Sequence, residues 1–272
     1  MNLRTIAALN ANFAAIVADA IAAFIATIGS LLSGSAQAQA LPPVETVTVG
    51  VFTIAPYVKA GDDGPHGALV EFFDKEIAPR MGVRFQWERP VTVARLEQNL
   101  IAGRVLFTPI LSKTAARELA HIQYTGESQI RFTPVIAVLP EHPLHAITAP
   151  ADLSGVTVGW VQAGALPPFM QDARIRFDLA GAIDWERTNL DKLKRGRIGG
   201  AYFSDHHTAR YHAARTGMQL KLLNLPVPGT TLYAAFAPSA PPALVERYRR
   251  AASEAFAGNR FHAYLNRAVT EP

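Results

Sequence analysis

The chain contains no cysteine among its 272 residues. It therefore cannot form disulfides, a cysteine nucleophile, a cysteine-ligated zinc site or an iron–sulfur cluster. Charged residues are also few, at 18%, and because the positive ones are mostly dispersed, the net charge of +4 does not indicate a nucleic-acid-binding surface. Hydrophobic residues make up 49% of the chain, which is enough for one large or two small cores and excludes a disordered protein.

Familiar catalytic and nucleotide-binding motifs are missing as well. The sequence has no G-x-S-x-G, H-E-x-x-H, phosphate-loop or dinucleotide glycine pattern. A histidine-rich segment at residues 205–207 is followed by His212, but this spacing does not place the rings on one helical face. We interpret it as a helix start capped by Ser204 or Asp205, and we expect neither a metal nor a cofactor.

Long apolar runs are confined to the N-terminus. Residues 1–40 carry two charges, Arg4 and Asp19, and end in an A-x-A sequence at Ala40. A positive start, an apolar centre and such an end are typical of a secretory signal peptide. The alternative, an uncleaved membrane anchor, would bury Asp19 in the bilayer at considerable cost. We expect cleavage after Ala40 and a secreted mature protein.

Two parts of the chain begin in the same way. Residues 47–51 (VTVGV) and 156–161 (VTVGWV) are β-branched runs without helical spacing, which predicts two buried strands. Each is followed by a helical stretch that closes on a glycine, Gly103 or Gly196, with a new strand expected directly afterwards. Strands that alternate with helices predict parallel sheets, and their repetition predicts two α/β lobes.

Two extended segments are expected to connect these lobes, at residues 130–139 and 230–237. Two such crossings form a hinge, and a cleft between hinged lobes is a common ligand site. We predict a first lobe of residues 44–132 plus 236–272 and a second lobe of residues 133–235.

Several short motifs follow one another in a characteristic order. The first strand leads to a proline–aromatic pair at Pro56 and Tyr57, an S-x-T-x-x-R motif occupies residues 112–117, and residues 151–164 form the opening phrase of the second lobe. Over residues 45–268 this order resembles the periplasmic solute-binding proteins of polar amino-acid ABC importers, the bacterial extracellular solute-binding family 3.

The resemblance implies an α/β protein with the two-lobed, type II periplasmic-binding-protein fold. Each lobe would be a mixed, mostly parallel sheet flanked by helices, and two hinge crossings would join the lobes. The implied function is not enzymatic: it is capture of a small carboxylate-bearing solute in the periplasm for an ABC importer. The implied partners are the solute and the membrane permease, and we expect a monomer that binds no nucleic acid.

In this family the arginine of the S-x-T-x-x-R motif holds the ligand's carboxylate, a role that the resemblance assigns to Arg117. A guanidinium suits this role because it can pair with a carboxylate through two charge-assisted hydrogen bonds. The alternative is a surface arginine paired with Glu118 or Glu127. The expected ligand-binding residues are Arg117, Ser112, Thr114, Ile110, Phe52, Tyr57, Gly164, Ala165, Ser204 and Asp205.

Several positions depart from the family pattern. The acid that usually holds a ligand's amino group falls at Ser204, with Asp205 one place further, and a one-residue shift on a strand turns a side chain to the other face. The loop at residues 164–166 has lost its usual hydroxyl groups, and Phe52 and Ile54 follow the first strand. These departures predict a rather apolar pocket, suited to a hydrophobic amino acid or to a carboxylate without an amino group.

Two other functions remain open from the sequence. The family contains periplasmic cyclohexadienyl dehydratases, which act on prephenate or arogenate and also hold a carboxylate with an arginine. Such chemistry needs an acid or base in the cleft, for which Glu127, Asp205 and His206 are the nearby candidates. A sensor domain on the same fold is the other alternative.

The three tryptophans are interpreted as packing residues. Trp160 lies in a predicted core strand, whereas Trp87 and Trp185 are expected near the ends of elements. Stacking against a ligand is the alternative for each of them.

Overall fold

The computed structural model describes residues 44–125 and 130–270. The predicted signal peptide, residues 1–40, and the candidate Glu127 lie outside the described residues. Within the described ranges, no helix has the length and apolar character that crossing a membrane requires.

Strands and helices alternate over residues 45–125 and again over residues 176–224. The strands are β1 (Glu45–Val49), β2 (Val83–Trp87), β3 (Phe107–Leu111), β4 (Gln123–Thr125), β5 (Arg131–Phe132), β6 (Val135–Val138), β7 (Thr157–Val161), β8 (Arg176–Ala180), β9 (Gly200–Phe203), β10 (Lys221–Asn224), β11 (Thr230–Thr231) and β12 (Tyr233–Phe236). The α-helices are α1 (Ala68–Phe72), α2 (Ala78–Met81), α3 (Val93–Ile101), α4 (Ala115–Leu119), α5 (Trp185–Lys194), α6 (His206–Thr216), α7 (Pro242–Ala255) and α8 (Arg260–Thr270). A π-helical turn, Phe73–Ile77, joins α1 to α2.

Ten of these strands form two five-stranded sheets, each with a lobe built around it. In the first sheet, ordered β2-β1-β3-β12-β4, β1 is parallel to β2 and β3, whereas β12 is antiparallel to β3 and β4. In the second, ordered β10-β6-β9-β7-β8, β7 is parallel to β8 and β9, whereas β6 is antiparallel to β9 and β10. The predicted α/β fold with mixed sheets is confirmed, although parallel pairings do not outnumber antiparallel ones.

Glycine explains why the two lobes begin with the same sequence. A Cβ on Gly50 would lie 2.6 Å from a leucine side chain of α3, and a Cβ on Gly159 would lie 2.7 Å from the isoleucine side chain that precedes β9. At the ends of α3 and α5 the chain turns at Gly103 and Gly196, whose φ angles of 68° and 65° are left-handed. The glycine turns are as predicted, but β3 and β9 start several residues beyond them.

The two segments that connect the lobes pair with each other. β5 and β11 form a two-stranded antiparallel ribbon, with Phe132 opposite Thr230 and Arg131 opposite Thr231. β12, which follows β11, belongs to the first sheet. The chain therefore crosses twice between the sheets in an extended conformation, while the residue limits of the lobes stay a prediction.

Aromatic side chains fill much of the first lobe's core. The ring of Phe107 on β3 is buried, and its centroid lies 4.8 Å from that of Phe236, 5.7 Å from that of Phe85 and 5.2 Å from that of Tyr248 on α7. Because offset and tilted ring pairs of this kind add to the stabilisation from burial, Phe107 is a central packing residue of the sheet that carries the candidate site.

We predict that Phe107→Ala lowers the free energy of unfolding by about 3–5 kcal/mol, because it removes a fully buried ring and leaves a cavity. Urea denaturation of the full chain measures this loss. The matched control is Leu179→Ala on β8, whose side chain is 52% exposed and whose loss should change stability by no more than about 0.5 kcal/mol. A Phe107→Ala variant as stable as the control would contradict this account of the core.

Candidate functional site

Arg117 sits in the short helix α4 that follows β3. The Thr114 side chain caps this helix by accepting a hydrogen bond from the Arg117 backbone N–H at 3.3 Å. The cap sets the direction in which α4 leaves the sheet, and the Arg117 side chain turns inward, so that the residue is only 2% exposed. Arg117 is therefore not the surface arginine of the sequence-based alternative.

The Arg117 guanidinium donates to four acceptors. Its Nε donates to Glu97 Oε2 at 3.0 Å, and its Nη1 donates to the backbone oxygen and the Oγ of Ser112, both at 3.0 Å. Its Nη2 donates to the backbone carbonyl of Ala163 in the second lobe at 3.2 Å. The acidic partner is thus Glu97 on α3, which the sequence did not suggest, and the same arginine reaches both lobes.

A cavity of about 60 Å³ lies against this guanidinium, between the two sheets. Six of the ten expected residues line it: Phe52, Ser112, Arg117, Gly164, Ala165 and Ser204. The other lining residues come from both lobes and are largely apolar: Ile54, Val93, Leu111, Phe132, Trp160, Val161, Trp185, Tyr202, Thr230 and Leu232. Among the described residues of the lining, Arg117 is the one with a charged side chain.

Two tryptophans form part of this wall. The ring centroids of Trp160 and Trp185 are 5.0 Å apart in an edge-to-face arrangement, and Trp160 meets Tyr202 at 4.4 Å. The indole Nε1 of Trp160 donates to the backbone oxygen of Gly164 at 3.1 Å and so fixes the loop that follows β7. The sequence predicted these tryptophans to be packing residues, because the pattern around a buried aromatic residue is the same whether its side chain faces a core or a cavity. One feature of the sequence could have indicated the cavity position: Trp160 comes just before the loop at residues 162–165, which contains the expected ligand-binding residues Gly164 and Ala165.

The other four expected residues lie elsewhere. Thr114 caps α4, and Ile110 packs in the core of the first lobe. The Tyr57 hydroxyl donates to Asp205 Oδ2 at 2.8 Å, and both side chains are buried. Burial, with the nearby Asp205 carboxylate as the next cause, raises the pKa of Tyr57. Tyr57 therefore remains a protonated hydrogen-bond donor over the physiological range.

Asp205 is fully engaged in holding the structure together. Besides the Tyr57 hydroxyl, it accepts the backbone N–H of Thr133 at 3.0 Å and that of His207 at 3.2 Å, which makes it the N-cap of α6. As the sequence predicted, the shift of one residue from Ser204 to Asp205 turns the carboxylate away from the cavity. Ser204 faces the cavity, whereas Asp205 links the first crossing segment, at Thr133, to α6 and to the first lobe.

The histidines at the start of α6 do not gather with His212. The rings of His206 and His207 are tilted by 37° with centroids 4.0 Å apart, and one nitrogen of each lies within 4.8 Å of the other and of an Asp205 oxygen. Burial is the main cause of a lowered pKa at His207. His212 instead contacts Glu186, with 3.2 Å between His212 Nε2 and Glu186 Oε2.

Glu186 belongs to a second, larger groove of about 680 Å³. The groove is lined by parts of α5 and α6 and by six residues of the segment after β1, and it contains none of the ten expected residues; the six are Thr53, Ala55, Val58, Lys59, Ala60 and His66. Burial raises the pKa of Glu186. The contacts with His212 and with the Ala55 backbone N–H act in the opposite direction but do not cancel this effect. At the rim, the Thr53 hydroxyl donates to the backbone oxygen of Ile183, so the two lobes also touch here.

We predict that Tyr57→Phe destabilises the protein by about 1–3 kcal/mol, because it removes the donor that satisfies a buried carboxylate of Asp205. Chemical denaturation gives the difference. Tyr211→Phe is the control, since that hydroxyl lies on a partly exposed helix. If both substitutions cost the same, the Tyr57–Asp205 bond is not the link described above.

A second prediction concerns pH. Because the folded protein raises the pKa of Glu186, its protonated form is favoured in the fold, and stability is lost as the pH rises above the usual glutamate value of 4.5. Glu186→Gln removes this titration, so its stability relative to the wild type should increase between pH 4 and about pH 7. Denaturation at both pH values measures this, with Glu118→Gln on α4 as the control. A stability difference that stays constant with pH would contradict the raised pKa.

No protein-family model and no curated protein sequence matches the chain. Solved structures do. The periplasmic VFT2 domain of BvgS from Bordetella pertussis gives a TM-score of 0.67 at 20% identity, covering 83% of this chain and 93% of that chain. A mutant of ArgBP from T. maritima gives 0.69 at 18% identity, covering 83% of this chain and 96% of that chain.

A third match is AbpA from Streptococcus pneumoniae, an amino-acid ABC transporter substrate-binding protein bound to L-arginine. It gives a TM-score of 0.67 at 16% identity and covers 83% of this chain and 94% of that chain. At such low identities the similarity establishes the fold and not the ligand. The chain has the two-lobed α/β architecture of type II periplasmic-binding proteins, which amino-acid-binding proteins and the BvgS domain share.

Proposed function

We propose that this protein is the periplasmic substrate-binding component of an ABC importer. It captures a small solute with a carboxylate and an apolar body between its two lobes and delivers it to the membrane permease. The observation that carries the proposal is the buried guanidinium of Arg117, which lines an apolar interlobe cavity and contacts both lobes.

The charge and surroundings of Arg117 support a carboxylate ligand. A guanidinium in a site of low dielectric binds an anion more strongly than it would in water, and its planar fork matches a carboxylate. The Ser112 hydroxyl already lies 3.0 Å from Nη1, close enough to join such a contact. The aromatic walls supplied by Trp160, Trp185 and Phe52 suit an apolar body.

The same lining argues against a ligand that depends on a charged amino group. No carboxylate lines the cavity among the described residues, and the carboxylate of Asp205 is committed to Tyr57, Thr133 and His207. An ammonium group would therefore lose its hydration without gaining an ionic partner. This favours an organic acid without an amino group, with a hydrophobic amino acid as the next candidate.

A binding role is favoured over a dehydratase by the types of side chain that line the described part of the cavity. General acid–base catalysis needs a titratable group within hydrogen-bond reach of the reacting atoms. Neither Asp205 nor His206 lines the cavity, and no described lining residue is a carboxylate or an imidazole. The structural matches also include AbpA, a substrate-binding protein of an ABC transporter, which supports delivery to a permease.

We predict that an apolar carboxylate raises the melting temperature of the full chain. A ligand at one hundred times its dissociation constant stabilises by about 2.7 kcal/mol, which corresponds to about 5–10 °C for a chain of this size. The panel comprises branched and aromatic monocarboxylates, hydrophobic amino acids, arginine, glutamine and dicarboxylates. The shift should be largest for the monocarboxylates and absent in Arg117→Ala.

The matched control is Arg84→Ala, because Arg84 lies exposed on β2, away from the cavity. Each variant's shift is measured against its own melting temperature without additive, so a general loss of stability does not imitate a loss of binding. No shift with any compound, or a shift that persists in Arg117→Ala, would overturn the proposed function. Tight binding of arginine would contradict the assignment of an apolar pocket.

A further inference from the structure

The partners of Arg117 occupy most of the N–H donors that a ligand's carboxylate would need. Four acceptors already face a guanidinium that has five N–H donors, and Glu97, Ser112 and Ala163 supply them. The Glu97 contact is an ion pair at 3.0 Å between a buried arginine and a carboxylate that is 26% exposed. A ligand's carboxylate therefore meets an arginine that is already paired with a carboxylate of the same chain.

The second lobe adds to this arrangement through its backbone. The carbonyl of Ala163 accepts from Arg117 Nη2 at 3.2 Å, and Ala163 has a left-handed φ of 61°, which is uncommon for a residue with a Cβ. Non-glycine residues held in this region cluster at functional sites, where the surroundings compensate for the strain. The loop after β7 is thus held in an unfavourable conformation with an acceptor directed at the arginine.

The size of the cavity leads to the same conclusion. A volume of about 60 Å³ corresponds to roughly two water molecules, so an apolar carboxylate requires the lobes or the Ala163 loop to move. The Ala163 carbonyl is the polar contact that such a movement breaks at the guanidinium, which leaves Glu97 and Ser112 as the acceptors that a ligand's carboxylate meets there. Ligand binding is then an exchange of acceptors on Arg117 and not the filling of a preformed pocket.

We propose that Glu97 is an internal competitor for Arg117: its carboxylate, together with the Ala163 carbonyl, holds the guanidinium in the closed arrangement, and a ligand's carboxylate binds by displacing it. This inference rests on the proposed function, since it assigns the regulation of the same site. An anion then binds only if its contacts at the site outweigh the ion pair between Glu97 and Arg117, so weakly binding anions are excluded.

The experiment compares Glu97→Gln with the wild type in calorimetric titrations of the full chain with isovalerate and benzoate. Glutamine keeps the shape and an acceptor oxygen but removes the negative charge, so the ion pair with the guanidinium becomes a weaker hydrogen bond to a neutral acceptor. The probe affinity should therefore rise about ten-fold, and Glu118→Gln, on the helix that carries Arg117, should leave it unchanged. Glu97→Asp keeps the charge but withdraws it by one methylene, so it should give an intermediate gain even where the glutamine variant folds poorly.

A second readout needs no added carboxylate. The Nε–H proton of Arg117, assigned by its loss in Arg117→Ala, should shift in the nitrogen–proton correlation spectrum of Glu97→Gln and not in that of Glu118→Gln. An unchanged signal in Glu97→Gln would overturn the pairing itself.

The titrations separate this inference from the proposed function. If wild type and Glu97→Gln bind a probe equally well, or Glu97→Gln binds it less well, Glu97 is not a competitor while the carboxylate-binding function stands. If only Glu97→Gln binds, the competitor is supported and the wild-type function has to be revised. If neither binds either probe, the competitor has nothing to exclude and both proposals fall.

Discussion

A positive charge buried between two lobes needs hydrogen-bond acceptors, and Arg117 finds them in both lobes. Moving a guanidinium out of water costs several kcal/mol unless its N–H groups find partners, so the position of Arg117 constrains the segments around it. α3 supplies Glu97, the turn after β3 supplies Ser112, and the loop after β7 supplies Ala163. The arrangement of the two lobes therefore helps to satisfy the hydrogen-bond donors of this one side chain, because the second lobe supplies the Ala163 acceptor.

The hinge side of the molecule solves the opposite problem, a buried negative charge. Asp205 receives three donors, one from a side chain of the first lobe, one from the crossing segment at Thr133 and one from its own helix. Hydrogen bonds to a carboxylate are stronger than neutral ones, so this residue fixes the start of α6 relative to the crossing segment. The two buried charges differ in their partners: under the proposed function the Arg117 contacts are exchanged for ligand contacts, whereas the Asp205 contacts connect backbone of the crossing segment and of α6.

The fold was largely predictable from local sequence. The repeated VTVG segment, the glycine turns at Gly103 and Gly196 and the order of the motifs all depend on residues close together in the chain, where strand and helix preferences are read directly. Ser112 and Arg117 share one motif, and the structure brings both to the cavity. The sequence also predicted that Ser204 and Asp205 face opposite sides, because side chains alternate on a strand.

The rest of the site depends on contacts between distant residues. The pairing of Glu97 with Arg117 joins two helices on either side of a strand, and nothing in the spacing distinguishes Glu97 from Glu118 as a partner. Tyr57 and Asp205 are 148 residues apart in the sequence, so their hydrogen bond follows from how the two lobes are arranged and not from a local pattern. The tryptophans of the wall were recognised as buried, but which side of the second sheet faces the first lobe is a property of the hinge and cannot be read from periodicity.

If the site binds a carboxylate as proposed, the apolar wall and the Arg117–Glu97 ion pair together determine which ligands it selects. Because Arg117 is buried and Glu97 is 26% exposed, their attraction is stronger than it would be in water, yet such a pair contributes little net stability after the cost of removing the charges from water. Its effect is on selection, because a ligand can shift the lobes only by as much as its contacts exceed those it replaces. A small hydrophilic anion offers a carboxylate but gains nothing from Trp160, Trp185 or Phe52, so it only exchanges one ion pair for another. A ligand with an apolar body gains the aromatic contacts in addition, and the internal ion pair thereby makes recognition of the apolar part a condition for binding the charged part.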